Sequence, residues 1–156
     1  MLHVPIEFTD RIRFHEREEL GYLIAYQDTE RQDIAVTNMT KPVRGDFTKV
    51  SSDNSSINML NKFFKSNRKF TAVPYHTHSM EGPSEGDLRT FQQLEDSGIV
   101  YYAIGTPTRT LFFRVFRGIT HPIKYRLVTN PSKELKNLSG KTSSRLTLLG
   151  IESYSL

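Results

Sequence analysis

Two histidines two residues apart, His76 and His78, close an apolar run in TAVPYHTHSMEGPSEGDLRTF (residues 71–91), and Ser84 and Asp87 follow in an S-x-x-D spacing. In a strand, residues i and i+2 project from the same face, so the two imidazoles can aim at one point. Asp87, at the start of the helix that Ser84 would cap, can bring a carboxylate to that point. Two histidines, one carboxylate and a water make the open tetrahedral set of a catalytic zinc. Such a metal would activate the water and polarise a substrate carbonyl. A hydrolase also needs a general base, and the spacing alone does not say which residue that is. The same residues have a structural reading. Ser84-x-x-Asp87 is an ordinary helix N-cap with an acid in the favourable first turn, and two histidines at a strand end are often surface or hydrogen-bonded groups. The joint order of strand, Gly/Pro loop and capped helix favours the metal reading.

The elements that must position these residues follow from hydrophobic periodicity. Residues 10–20, DRIRFHEREEL, predict a short helix or helical turn with Asp10 as cap and Gly21 as its end. GYLIAY (21–26) predicts a strand buried on both faces, and DIAVTNM (33–39) its partner across the turn DTERQ. Residues 40–56 predict a loop with a short strand at DFTKV. Ile57, Leu60, Phe63 and Phe64 give helical spacing over 56–67, with Ser56 as cap. KFTAVPYH (69–76) predicts a strand running into His76. Residues 84–98 predict a helix with Leu88, Phe91 and Leu94 inward and Gly98 as its stop. Strands are expected over 99–106, 109–116 and 122–128, then a polar connector over 129–144 and a last strand over 145–153. Helices interspersed among strands imply an α/β or α+β fold around one mixed sheet, over a single domain spanning 1–156.

The bulk numbers agree with one folded unit. The chain has 156 residues, 37% hydrophobic and 24% charged, which is ordinary for a globular domain. Neither a transmembrane run nor a signal peptide is evident, so a cytoplasmic setting without membrane contact is expected. Without cysteine there is neither a disulfide nor a thiolate metal site, and any metal needs His and carboxylate ligands. The net charge of +4 permits weak attraction to nucleic acid or acidic protein surfaces. The cations are scattered apart from a cluster in KFFKSNRKF, and recognition motifs are missing, which disfavours nucleic acid as the main partner. His3, His15 and His121 read as surface or packing histidines. Tyr101–Tyr102 and Phe112–Phe113 read as core pairs on opposite strand faces.

HTHSMEGPSEGD resembles the signature of the JAMM (JAB1/MPN/Mov34) metalloproteases: H-[ST]-H, a loop, then S-x-x-D. EELGYLIAY is similar to the family's upstream E-x-x-G and apolar strand, with Glu18 three residues before Gly21. The resemblance covers the first two thirds of the chain. It implies a single MPN-like (cytidine-deaminase-like) domain of the stand-alone prokaryotic, archaeal or viral type. His76, His78 and Asp87 would bind Zn2+ with a water as fourth ligand. Glu18 would take a proton from that water and deliver it to the leaving amine, and Ser84 would hydrogen-bond the developing oxyanion. The implied activity is a zinc isopeptidase or peptidase acting at the C-terminal tail of ubiquitin or a ubiquitin-like protein, held as an added strand. Two features depart from the pattern: Ser79 stands where the family usually has Pro, and the five-residue loop SMEGP is shorter than usual. Glu19 competes with Glu18 as the base. A non-catalytic MPN-type scaffold and a DNA-repair-associated zinc hydrolase of the same fold are the alternative functions.

Overall fold

The computed structural model describes residues 1–44 and 54–156. In chain order the described elements are β1 (Leu2–Pro5), α1 (Ile6–Arg11), β2 (Glu19–Asp28), β3 (Asp33–Thr40), β4 (Val43–Arg44), α2 (Asn54–Ser66) and β5 (Phe70–Thr77). They continue as α3 (Glu85–Glu95), β6 (Tyr101–Gly105), β7 (Thr110–Phe116), β8 (Ile119–Ile123), β9 (Tyr125–Val128), α4 (Lys133–Leu148) and β10 (Ser153–Tyr154). None of the described helices is long and apolar enough to cross a membrane.

One mixed sheet runs β8-β7-β6-β5-β2-β3-β1-β9, with β10 beside β3 and β4 beside β2. Strands β8 and β9 stand at its two ends yet are separated in sequence only by Lys124, so the sheet curls back on itself. An edge-to-face contact between Phe112 of β7 and Tyr125 of β9, centroids 4.8 Å apart, spans the closing seam. Alternation then divides every strand into an inner and an outer set. Leu23, Ala25, Val73, Tyr75, Ala103 and Phe112 point inward and pack with Phe8 and Ile12 from α1 and its end. Outside, α2 and α4 cover Ile24 and Phe70 through Leu60, Phe63 and Leu146. On the adjoining outer surface α3 places Phe91 against Tyr102, Ile104 and Phe113. The apolar run of β2 thus fills both layers, and the pairs at 101–102 and 112–113 are core residues facing opposite ways.

Several expectations need correction. Residues 12–18 form no helix, and Asp10 lies late in the short α1 instead of capping one. Long-range bonds hold that segment instead: Phe14 N–H donates to the Thr106 carbonyl (3.2 Å) and Arg13 to the Thr108 carbonyl (2.7 Å). Gly21 ends no helix but lies within β2 opposite Tyr75. Residues 129–144 are mostly helix, since α4 begins at its cap Ser132 and runs to Leu148, leaving only β10 of the last expected strand. Its inward positions include Ser139, whose hydroxyl donates to the Thr37 carbonyl (2.7 Å), and Thr142, so the buried face is half polar. That is why its sequence resembles a connector. Finally, the strand over 122–128 is split between β8 and β9, and β1 was not anticipated. Ser56 lies inside α2, and DFTKV falls outside the described residues.

A Cβ on Gly21 would stand 2.5 Å from the Tyr75 hydroxyl oxygen and 2.7 Å from two ring carbons, so the ring lies directly on the glycine. Gly21→Ala is expected to cost about 1–3 kcal/mol in urea unfolding. Gly82→Ala, with open space around its Cβ, should stay within about 0.5 kcal/mol of the parent. Equal midpoints for all three proteins would show that the ring does not need the glycine.

Candidate metal centre

His76 is the penultimate residue of β5 and His78 the first beyond it. Leu20, Ile104 and the His78 N–H bond to the Gly105 carbonyl (3.0 Å) hold this strand end on both sides. Both imidazoles face the outer surface beneath α3, and both residues are buried. Helix α3 is seated by Phe91, whose ring stacks on Tyr102 with centroids 4.2 Å apart. Asp87 lies one turn earlier on the same helix face, directed at the histidines.

The three side chains converge. Asp87 Oδ1 is 2.7 Å from His76 Nε2, and Asp87 Oδ2 is 3.1 Å from His78 Nε2. One ligand atom from each residue lies within 4.8 Å of the other two, so the set could hold a metal ion. With bonds of about 2.0–2.1 Å, tetrahedral donors stand roughly 3.3 Å apart, so only small shifts would be needed. The five-residue loop is therefore long enough to bring Asp87 to the histidines. Thr108 braces it by donating to Glu81 Oε2 (2.7 Å).

The hydrogen-bond chemistry supports this fit. His78 Nδ1 lies 3.0 Å from the Met80 carbonyl, which can only accept, so Nδ1 carries a proton. In neutral His78 the Nε2 lone pair then faces Asp87 Oδ2, two acceptors in contact. That geometry calls for a cation between them or a proton on Nε2. A backbone carbonyl on the far nitrogen is also the usual arrangement for a metal-binding histidine. The Met80 carbonyl could not have been found from side-chain spacing.

Ser84 caps α3: its hydroxyl accepts from Asp87 N–H (3.1 Å), while Asp87 Oδ2 accepts from Ser84 N–H (2.7 Å). Accepting at Oγ leaves the serine proton for another partner. Burial would raise the Asp87 carboxyl, but hydrogen bonding and charge from His76, then Ser84, outweigh it and hold the group well below the usual carboxylate range.

Glu18 is exposed, immediately before β2, and outside the three-residue donor set. Leu20 pairs with His76, and continuing that register by two residues, past the ends of both strands, would put Glu18 on the histidines' face. Glu19 has the other parity. Its N–H donates to Thr77 Oγ1 (2.9 Å), and its charge is among the causes, after burial, that raise the inward-facing Tyr75 hydroxyl. His15 and His121 are exposed, and His3 lies 3.5 Å from Asp33, away from the site.

No family model matches the chain, and none of the curated proteins searched matches it. Among solved structures, the fold is similar to the solution structure of protein DSY2949 from Desulfitobacterium hafniense, with a TM-score of 0.57 and 15% identity over 86% of this chain and 98% of that one. The likeness shows a shared fold, an α/β architecture with a curled mixed sheet and few helices.

His76→Ala and Asp87→Ala are each expected to weaken zinc binding at least about tenfold, read by competition with a chromophoric chelator. A second outcome concerns metal-free protein. Because the folded-state pKa of Asp87 is depressed, its charge stabilises the fold above about pH 4, and that contribution is lost as pH falls further. Asp87→Asn should therefore be less stable than the parent at neutral pH, with the gap closing on acidification. A gap independent of pH in urea unfolding would contradict the charged cluster.

Proposed function

We propose that the protein is a zinc-dependent hydrolase of peptide or isopeptide bonds, acting on a tail such as that of a ubiquitin-like protein. The reading rests above all on the convergence of His76, His78 and Asp87, with the Met80 carbonyl fixing the His78 tautomer. It draws further on the resemblance of HTHSMEGPSEGD and EELG to the JAMM signature. Those three residues would hold zinc, which when bound would supply a Lewis acid for water activation and carbonyl polarisation.

The chain's own residues divide the remaining work. Glu18, on the histidines' face by parity, accepts the proton of the attacking water and returns it to the departing amine. Ser84, with its oxygen engaged in the cap, donates its proton toward the oxygen that gains charge. Burial of both histidines keeps bulk water from the inner side of the site. The Glu81–Thr108 contact keeps the loop that carries Ser84 in place.

Cleavage of a reporter fused after the Gly-Gly end of a ubiquitin-like protein tests this. Glu18→Gln should retain zinc and lose about 100-fold or more in turnover, whereas Glu19→Gln should change it only a few-fold. Ser84→Ala should lose about 100-fold in turnover and, through the lost cap, about 1 kcal/mol of stability. Full activity of Glu18→Gln with zinc bound would remove it as the base. Inactivity of the zinc-loaded parent toward every peptide and isopeptide fusion tried would remove the hydrolase reading.

A further inference from the structure

The basic cluster in KFFKSNRKF has no part in the metal site, and the fold gives it company. Lys62, Lys65, Arg68 and Lys69 lie on or just after α2, and Lys133, Lys136, Lys141 and Arg145 lie on α4. Both helices cover the same outer surface of the sheet through one apolar cluster. Arg145 Nη1 bonds Asn67 Oδ1 (2.8 Å), joining the end of α2 to α4. All eight cations are exposed, and none makes an ion pair among the described residues. Residues 54–69 and 133–148 contain one acid, Glu134, giving a local charge of +7 in a chain of +4. The remainder of the chain is therefore net negative, at −3. The charge is segregated.

We infer that the α2–α4 face binds the phosphate backbone of duplex nucleic acid, without reading its sequence. Exposed cations gathered on one side of a chain whose other residues sum to a negative charge attract a polyanion and orient it. Between the cations stand exposed Asn58, Asn61, Ser66, Asn137 and Ser144, side chains that donate to phosphate oxygens. The aromatic residues of α2 face the sheet, so among the described residues this face offers no stacking platform for single-stranded bases. Among the described residues, Met59 and Leu148 are the exposed large apolar residues on these helices, too few for the apolar face of a membrane-surface helix or the aromatic core of a protein interface. The helices are about 20 Å long, the span of roughly six base pairs.

Fluorescence anisotropy with a labelled duplex of about 20 base pairs, in chelator, measures the affinity at about 50 and 200 mM salt. With about four phosphates neutralised, affinity should fall roughly a hundredfold between those salts. Lys65→Glu/Arg68→Glu/Lys141→Glu should weaken binding at low salt at least about tenfold while melting as the parent does. Arg114→Glu/Arg117→Glu/Lys124→Glu, the same change in net charge elsewhere, should alter it no more than about twofold. His76→Ala should bind duplex as the parent does, which separates this face from the metal site. The inference is overturned if the parent shows no salt-dependent binding, or if the two triple variants lose affinity equally. It is also overturned if phosphatidylserine vesicles are bound more tightly than the duplex.

Discussion

The register between β2 and β5 is the constraint on which the candidate site depends. Tyr75 lies over Gly21, a position where any Cβ would collide with the ring. A slip by one residue would put a side chain under that ring and turn the faces of one strand over. The locked pair fixes Leu20 opposite His76, and the same register continued past the strand ends would bring Glu18 to the side of His78. The three-residue interval from Glu18 to Gly21 thereby acquires a physical meaning. An odd spacing places the glycine beneath the tyrosine on the inner face and the acid on the outer face with the histidines. Glu19, one residue later, shares the inner parity of Gly21.

Around that register, the site is built at the junction of two layers. The outer surface of β5 is covered near Phe70 by α2 and near its end by α3, and the histidines occupy the second region. Helix α3 does not depend on the histidines for its position, because Phe91, Leu88 and Leu94 already seat it on β6 and β7. Apolar packing is thus able to hold Asp87 close to two buried imidazoles, an arrangement that polar groups alone would resist.

The legible parts of the fold were those whose burial is apolar. GYLIAY, KFTAVPYH and the helix after Ser84 carry their periodicity openly, and with them His76, His78, Ser84 and Asp87 could be placed on a strand end and a capped helix. The illegible parts are those stabilised by distant polar partners. Segment 12–18 looks helical by composition but is held in place by the Thr106–Thr110 region, at a separation in sequence that no local pattern records. Helix α4 hides its inward face behind Ser139 and Thr142, whose burial makes sense only once β3 supplies the carbonyl for Ser139. The opposite parities of Glu18 and Glu19 likewise emerge only from a strand register, and the Met80 carbonyl has no side-chain signature at all.

Asp87 shows why a helix cap and a metal ligand need not compete. A carboxylate has two oxygens with several acceptor directions, and here Oδ2 takes the Ser84 N–H while Oδ1 is closest to His76. The cap uses one oxygen and leaves the other turned toward the imidazoles. The depressed pKa follows from the same contacts, so the group is already ionised when a cation arrives. The arrangement also sets the limit on substitution. A neutral amide at this position could still accept from the cap, yet it would not supply the charge that the two imidazoles face. The cap alone asks for an acceptor at Asp87; the pair of imidazoles beside it asks for an anion.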